Sequence, residues 1–261
     1  MLSAKDMRTL LTFAVSLSDE ARRILRDLPR AQLGITQKPD GSTVTTADTA
    51  IEAAWREMIR KGFPGHGLIG EEYPASGGES PWQWVLDPID GTDNFAHGLP
   101  TFGTLVSLRH EGEAVLGIID HPHLGIRFAG ARGLGVTRNG DPVRISLKDE
   151  PMPIVALTAP ENFAAGGRFD LFCHLARHFP NTRIYRDCFA QGMVLQGSIA
   201  AMVDFHVKLW DISAAEALVT EAGGVFVRLD ACTERQQVAF GQRHVVDAMV
   251  AMARAASFGD Q

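Results

Sequence analysis

Cysteine is scarce in this chain of 261 residues, which has only Cys173, Cys188 and Cys232 and no C-x-x-C pair. An odd number at these spacings predicts neither a disulfide framework nor a cysteine-type zinc site, and it fits a reducing cytoplasm. No apolar run reaches the roughly 18 residues of a membrane span, and the N-terminal apolar residues are too spaced for a signal peptide. We therefore expect a cytoplasmic protein with no membrane association.

Positive charge is also in short supply. Lys and Arg number 25 against 31 Asp and Glu, which gives a formal net charge of −6. With no basic excess to neutralise phosphates, the chain is not expected to bind nucleic acid. Hydrophobic residues make up 45% and charged residues 21%, which is an ordinary globular balance. A chain of this length buries enough surface to fold without disulfides or a structural metal.

Several catalytic and nucleotide-binding motifs are missing. The chain has no G-x-x-x-x-G-K-[ST], no H-E-x-x-H and no G-x-S-x-G. Gly133 begins a G-x-G whose third glycine would fall on Arg138, so a dinucleotide fingerprint is not supported. Haloacid-dehalogenase-type phosphatases use D-x-D-G-T, whereas this chain has the longer D-x-x-D-G-T.

The spacing of apolar residues changes along the chain. Steps of three and four residues between Met7 and Leu28 predict a first helix, which Pro29 ends. Residues 49–61 predict a second helix, with a capping box formed by Thr49 and Glu52. Shorter apolar runs then predict strands through about residue 145, including 67–70, 82–86 and a hairpin that turns at 111–113.

Helices and strands alternate in the C-terminal part. We expect strands near 154–158 and 183–186, and helices near 169–178, 188–197, 211–222 and 244–257. A helical start, a strand-rich centre and this alternation predict an α+β or layered α/β enzyme. A subdomain boundary near 150 would separate residues 1–150 from 151–261.

The strongest chemical signal lies between Trp84 and Asp93. An apolar strand leads to Asp87 and Asp90, and Gly91-Thr92 begins a new element. Closely spaced carboxylates repel unless a cation joins them, and hard oxygen ligands select Mg²⁺ or similar ions. Glycine permits close approach of a ligand, and a helix start favours an anion. A metal beside an anion-binding turn indicates phosphate chemistry.

Three further acids lie at comparable places, namely Glu71 after strand 67–70, Asp211 at a helix start, and Asp48 after a polar stretch. Each has an ordinary structural interpretation as well. Asp211 and Asp48 fit helix capping, and Glu71 fits a solvated loop acid. Only the run from Asp87 to Thr92 is hard to explain by folding alone.

These motifs resemble the inositol monophosphatase superfamily of Mg²⁺-dependent, Li⁺-sensitive phosphatases. The resemblance spans nearly the whole chain and rests on Gly70-Glu71-Glu72, on Asp87-Pro88-Ile89-Asp90-Gly91-Thr92 with Asn94-Phe95, and on Trp210-Asp211 with Glu221-Ala222-Gly223-Gly224. It implies a five-layered α-β-α-β-α sandwich, usually dimeric, that hydrolyses a small phosphate monoester.

The resemblance also implies ligands for two or three Mg²⁺ ions. The first ion would be held by Glu71, Asp87 and the Ile89 carbonyl, and the second by Asp87, Asp90 and Asp211. A third, weaker ion would touch Glu71 and reach Asp48 through water.

Further roles follow from the same resemblance. Thr92 paired with Asp48 would orient the attacking water, and the N–H groups of Gly91 and Thr92 would hold the phosphate. Lys38 matches a family lysine near the site.

The substrate pocket is indicated by Asp187 and Asp204. The segment Arg186-Asp187-Cys188-Phe189-Ala190 resembles the G-D-C-Y-A-Y segment of the histidinol-phosphatase branch, where the acid suits a cationic amino alcohol. Asp204 stands where inositol phosphatases carry a glutamate. Arg186 departs from the glycine of that branch, and Asp187 has an alternative interpretation as the ion-pair partner of Arg183 or Arg186.

We therefore predict hydrolysis of histidinol phosphate, with inositol 1-phosphate as the alternative substrate. The segment from Asp93 to Gly98 is closer to the inositol-phosphatase pattern. A 3′-phosphoadenosine nucleotidase and a regulatory binding protein are the remaining alternatives, and no segment marks a base-stacking pocket. His97 and His206 are candidates for substrate contact, whereas His121 and His123 are expected in a surface turn.

Overall fold

The computed structural model describes residues 3–145, 152–230, 232 and 234–256. The helices are α1 (Ala4–Asp27), α2 (Thr46–Gly62), α3 (Thr92–His97), α4 (Pro160–Ala165), α5 (Phe169–His178), α6 (Asp187–Leu195), α7 (Leu209–Glu221) and α8 (Arg243–Ala256). The strands up to residue 145 are β1 (Thr36–Gln37), β2 (Thr43–Val44), β3 (Gly67–Gly70), β4 (Trp82–Asp90), β5 (Gly103–His110), β6 (Glu113–His121), β7 (Ile126–Ala131), β8 (Gly135–Arg138) and β9 (Asp141–Val143). The strands that follow are β10 (Val155–Leu157), β11 (Thr182–Ile184), β12 (Ala201–Val207), β13 (Val225–Arg228) and β14 (Gln236–Gly241).

The first two helices form where the apolar periodicity predicts them. A capping box between Ser3 and Asp6 begins α1, and its stripe from Met7 to Ala21 is buried. The capping box predicted at Thr49 and Glu52 is wrong, because α2 begins three residues earlier with Thr45 as its N-cap and Asp48 completing the box. Asp48 is therefore not the N-cap.

A seven-stranded sheet occupies the first half of the chain, in the order β3-β4-β5-β6-β7-β8-β9. Its β3–β4 pair is parallel and its other pairs are antiparallel. The predicted hairpin turn at 111–113 is confirmed by the pairing of β5 with β6. Strand β4 extends to Asp90 rather than ending at residue 86, and its register with β5 shifts between Asp87 and Asp90.

A five-stranded sheet follows in the order β11-β10-β12-β14-β13. Strand β10 and helices α5, α6, α7 and α8 confirm the predicted alternation to within a few residues. Helix α4 and strands β12, β13 and β14 were not predicted. Residue 257, the expected end of the last helix, and the boundary near residue 150 lie outside the described residues.

Three hydrophobic clusters show how the layers stack. Side chains alternate between the faces of a strand, so Ile118 of β6 packs with α1 and α2, whereas its neighbour Ile119 packs with α6, α7 and the second sheet. The other face of the second sheet packs against α4, α5 and α8. The order is therefore helix, sheet, helix, sheet, helix, which confirms the expected five-layered sandwich. In the described part of the chain, every helix falls short of the length and apolar character that crossing a membrane requires.

Candidate active site

The site is built around the turn that joins β4 to α3. Gly91 is the N-cap of α3 and has a φ of 82°, in the left-handed region that favours glycine. A Cβ at this position would lie 3.2 Å from the Thr101 carbonyl oxygen and 3.3 Å from Asp187 Oδ2. The turn therefore requires glycine, and it places the start of α3 beside Asp187.

Asp87 and Asp90 precede this turn and are both buried, with 1% and 8% of their surfaces exposed. Asp87 Oδ1 has no hydrogen-bond partner in the described residues, and Asp90 Oδ2 accepts a hydrogen bond from the Cys188 N–H. Burial, followed by the charge of Glu71, raises the pKa of Asp87 well above its ordinary value. Burial, followed by the charge of Asp187, likewise raises the pKa of Asp90 well above its ordinary value.

Asp48 and Thr92 lie together although 44 positions separate them in the sequence. The Thr92 hydroxyl is 3.1 Å from Asp48 Oδ1 and 2.8 Å from the Ile89 carbonyl oxygen. Asp48 is fully buried, and its Oδ2 accepts hydrogen bonds from the Thr45 N–H and hydroxyl. Burial raises the pKa of Asp48 to about 6, although the hydrogen bonds from Thr45 lower it.

Lys38 binds two adjacent acids at the end of β3. Its Nζ lies 2.7 Å from Glu71 Oε1 and 2.7 Å from Glu72 Oε1. Glu71 is therefore an ion-paired side chain, and the interpretation as a freely solvated loop acid is wrong. Burial raises the pKa of Glu72 to about 7, against the lowering effect of Lys38. The backbone N–H of Glu72 in turn donates to the buried Glu52 carboxylate, at 2.7 Å.

Asp211 enters from the second half of the chain, in the first turn of α7. Its Oδ2 accepts a hydrogen bond from the Lys208 N–H at 2.7 Å, so it also helps to cap the helix. Burial raises the pKa of Asp211 to about 8, and the Lys208 hydrogen bond opposes this shift. The charge of Glu71 raises the pKa of both Asp211 and Asp87, which places these acids from distant segments within electrostatic reach.

The donor set fits a divalent cation in charge and chemistry. Buried carboxylates that raise one another's pKa are neutralised either by protonation or by a positive partner. The unpartnered Asp87 Oδ1 is available to such a partner, and oxygen donors suit Mg²⁺. Across the described ranges, no three acidic, histidine or cysteine side chains already form a set that could hold a metal ion. Glu71 Oε1 is bound to Lys38, so a cation that takes this oxygen competes with Lys38.

A cavity of about 240 Å³ adjoins the turn on the side of the second sheet. Its lining includes Asp90 and Asp211, the predicted substrate residues Asp187 and Asp204, and Arg186. Burial raises the pKa of Asp204 to about 7, against a hydrogen bond from Thr158 that lowers it.

In the described residues Asp187 forms no ion pair with Arg183 or Arg186, although the charge of Arg186 opposes the burial that raises the pKa of Asp187. The Arg186 guanidinium lies 3.4 Å from Glu161 Oε1, and Arg183 donates to the Thr182 carbonyl oxygen. Asp187 instead lies 3.4 Å from Asn94 Nδ2.

The histidines occupy different environments. The surface turn expected for His121 is wrong, because this residue is fully buried at the end of β6, where its ring approaches the Cys188 thiol at 3.9 Å. His206 lines the cavity. His97 is exposed, with Nδ1 2.8 Å from the Asp93 carbonyl oxygen.

Several residues near the site were missed by the sequence analysis. Gln191, Thr158, Asn162 and Arg235 line the cavity, and Glu52 supports the segment that carries Glu71 and Glu72. Gln191 follows Asp187 by one helical turn, and this spacing could have identified it. Nothing in the local sequence marks the others, because their positions depend on packing between distant segments. The metal, phosphate and substrate roles of the predicted residues stay predictions.

Comparisons with known proteins agree with this arrangement. The sequence matches the profile of the inositol monophosphatase family over residues 6–257. A histidinol-phosphatase of Mycobacterium tuberculosis is 32% identical over 227 residues, which is 84% of this chain and 87% of the relative. A protein of Pasteurella multocida named Nus factor SuhB is 31% identical over 231 residues, covering 84% of this chain and 85% of the relative.

The solved structure of an inositol monophosphatase from Zymomonas mobilis superimposes with a TM-score of 0.82 at 30% identity. That superposition covers 97% of this chain and 100% of the other. The profile match extends over the strands of both sheets and over the acidic turn between β4 and α3. The chain therefore belongs to the inositol monophosphatase family and is a phosphoric monoester hydrolase.

Proposed function

We propose that this protein is a Mg²⁺-dependent phosphomonoesterase whose substrate is histidinol phosphate. The observation that carries the proposal is the group of buried acids, Asp87, Asp90 and Asp211, beside the Gly91 turn and at the edge of an acidic cavity. The acids fit divalent cations, the turn fits a phosphate, and the cavity fits a positively charged leaving alcohol.

The candidate metal ligands are Glu71, Asp87, the Ile89 carbonyl, Asp90 and Asp211. When bound, Mg²⁺ would neutralise charge on the phosphoryl oxygens and lower the pKa of a coordinated water. Two or three ions would compensate a cluster that otherwise places like charges together.

Thr92 and Asp48 are placed to orient the attacking water. Their 3.1 Å contact holds the threonine hydroxyl against a buried carboxylate, which fixes the position of both groups. The backbone N–H groups of Gly91 and Thr92 begin a helix and lack intrahelical acceptors, so they can donate to phosphate oxygens. The chain itself supplies orientation and a hydrogen-bonding surface for the phosphate.

The acidic cavity supports a cationic substrate. Asp187 and Asp204 both line it, and their charges are not neutralised by ion pairs in the described residues. A histidinol-phosphatase is also among the relatives. An ammonium group on the leaving alcohol would satisfy both carboxylates.

Inositol 1-phosphate is the second candidate substrate. The Zymomonas mobilis relative is an inositol monophosphatase, and Arg186 replaces the glycine expected in the histidinol-phosphatase branch. The SuhB relative makes a regulatory binding role the further alternative, ahead of a 3′-phosphoadenosine nucleotidase.

A phosphate-release panel tests the proposal. We expect Mg²⁺-dependent release from histidinol phosphate with a kcat/KM well above those for inositol 1-phosphate, fructose 1,6-bisphosphate and the adenosine bisphosphates. A comparable kcat/KM for inositol 1-phosphate would contradict recognition of a cation. Activity near zero on all substrates would favour the regulatory role.

We also propose a cytoplasmic homodimer with subdomains at 1–150 and 151–261. Light scattering of the purified protein measures the mass, and limited proteolysis tests for a cleavable connection near residue 150. A monomer, or cleavage elsewhere before any near residue 150, would contradict these assignments.

A further inference from the structure

Gln191 is a buried side chain whose amide nitrogen makes a hydrogen bond and whose amide oxygen makes none in the described residues. None of its surface is exposed, and its Nε2 donates to the Asp211 carbonyl oxygen at 2.8 Å. Because only the NH₂ group can donate to a carbonyl, this contact determines which way the amide faces. Its Oε1 is left with no partner in the described residues. A buried acceptor without a donor is unfavourable and calls for a physical explanation.

The position of Gln191 relates it to the cavity. It follows Asp187 by four residues, about one turn of α6. Both line the cavity of about 240 Å³, together with Asp204 from the neighbouring strand β12. Helix α6 and strand β12 therefore contribute three hydrogen-bond acceptors to one cavity.

The acids of this space form no ion pair in the described residues. Arg186 pairs with Glu161 at 3.4 Å, although its charge still acts on Asp187 and Asp204. Asp204 accepts hydrogen bonds from the Thr158 side chain and from the Phe205 N–H, the latter at 3.0 Å. Arg235 and His206 also line the cavity, yet neither forms an ion pair with Asp187 or Asp204 within the described ranges. A ligand that supplies positive charge and several donors would match the cavity.

We infer that Gln191 Oε1 completes a primary-ammonium subsite together with the carboxylates of Asp187 and Asp204. A primary ammonium group has three N–H donors and no acceptor, so three acceptors satisfy it fully. A neutral polyol hydroxyl has one donor and gains little from such a set. The inference rests on the proposed function and assigns to Gln191 a role in recognising the amine on the leaving alcohol.

Kinetics of Gln191→Leu test this assignment. The leucine keeps the approximate shape and removes the acceptor together with the Nε2 donor to Asp211. With histidinol phosphate we expect KM to rise about tenfold, since one hydrogen bond to a charged group is lost. With inositol 1-phosphate we expect KM to stay the same, and any fall in kcat from the lost Asp211 contact to be equal for the two substrates. Gln196→Leu is the matched control, because Gln196 is exposed at the end of the same helix.

A merely structural role gives a different pattern. If Gln191 acts only through its Nε2 contact to Asp211, kcat falls for both substrates alike and KM for histidinol phosphate does not rise selectively. That result would overturn the subsite, as would unchanged kinetics. Gln191→Met serves as a second variant where the leucine does not fold, which circular dichroism would show.

A binding measurement separates this inference from the proposed function. Calorimetric titration with histidinol, the amino alcohol without phosphate, requires no turnover. About tenfold weaker binding of histidinol to Gln191→Leu than to wild type supports the subsite. It does so even where the wild-type protein hydrolyses neither substrate, a result that would contradict only the proposed function. Equal affinity of the two proteins for histidinol, or no binding to either, overturns the subsite.

Discussion

Replacing Asp204 by asparagine should stabilise the ligand-free protein. The carboxylate is 3% exposed, and burial raises its pKa to about 7 from an ordinary value of 3.8. As pH rises from 3.8, the unfolded chain loses this proton before the folded protein does. The folded state is therefore penalised progressively up to pH 7, and the penalty is constant above that value.

The size of the effect follows from the two pKa values. The difference between about 7 and 3.8, at about 1.36 kcal/mol for each pH unit, gives about 4 kcal/mol at neutral pH. Asparagine is neutral at every pH and avoids this cost. With an unfolding entropy of about 2.1 cal/mol/K for each residue, we expect the Tm to rise by about 7 °C.

Thermal unfolding at pH 4 and pH 8 measures the prediction. Asp204→Asn should melt about 7 °C above wild type at pH 8. At pH 4 it should melt within about 1 °C of wild type, because the group is protonated in the folded protein and only partly ionised in the unfolded chain. Asp141→Asn is the control, because Asp141 is exposed in β9 and should show no comparable gain.

Two outcomes would refute this reasoning. A gain that is equal at both pH values would mean that packing, and not ionisation, separates the two proteins. A loss of stability at pH 8 would mean that the Asp204 carboxylate is compensated in the folded protein. Histidinol should narrow the difference at pH 8, since a cation that binds only the folded protein stabilises the wild type more.

The other predictions concern the metal ligands, their lysine partner and a buried histidine. Asp90→Asn should lower kcat about 10³-fold, the equivalent of several kcal/mol, while the circular dichroism spectrum stays native; retained activity would refute the assignment of Asp90 as a ligand. Lys38→Met should free Glu71 and Glu72 from their ion pairs. The Mg²⁺ concentration that gives a half-maximal rise in Tm should then fall severalfold, and an unchanged concentration would show that Lys38 does not compete with the cation. Burial lowers the pKa of His121 below 6.5. As pH falls through 6.5, the unfolded chain therefore takes up a proton before the folded protein does, and the wild-type protein should lose stability. His121→Gln should lose less stability over that range in urea titrations, and equal losses would exclude this histidine as the cause.

Local pattern was sufficient for the elements with a regular period. The three- and four-residue spacing of α1 and the hairpin of β5 and β6 are properties of neighbouring residues, and both were confirmed. The capping box of α2 was misplaced because Thr45-Asp48 and Thr49-Glu52 have the same spacing. Glu52 was not available as a cap, since it is buried against Arg56.

The errors at single residues arose where burial depends on distant segments. His121 follows a strand and precedes Pro122, which is a pattern typical of a turn, yet Gly192 of α6 packs against its ring. The ion pair of Lys38 with Glu71 and Glu72 likewise joins a short hairpin to the end of β3, and no local signal announces it.

The sequence alone therefore determined the family, the layered architecture and the acids expected at the site, because these are encoded in contiguous motifs and regular periods. Only the tertiary structure decided which side chains share an environment. Within the described residues it brought α6 and β12 to one cavity, left Gln191 Oε1 unpartnered there, and buried Asp204 with no ion-pair partner. The burial and the pKa of a group depend on every element packed around it. This packing cannot be inferred from the number of residues that separate two groups in the sequence.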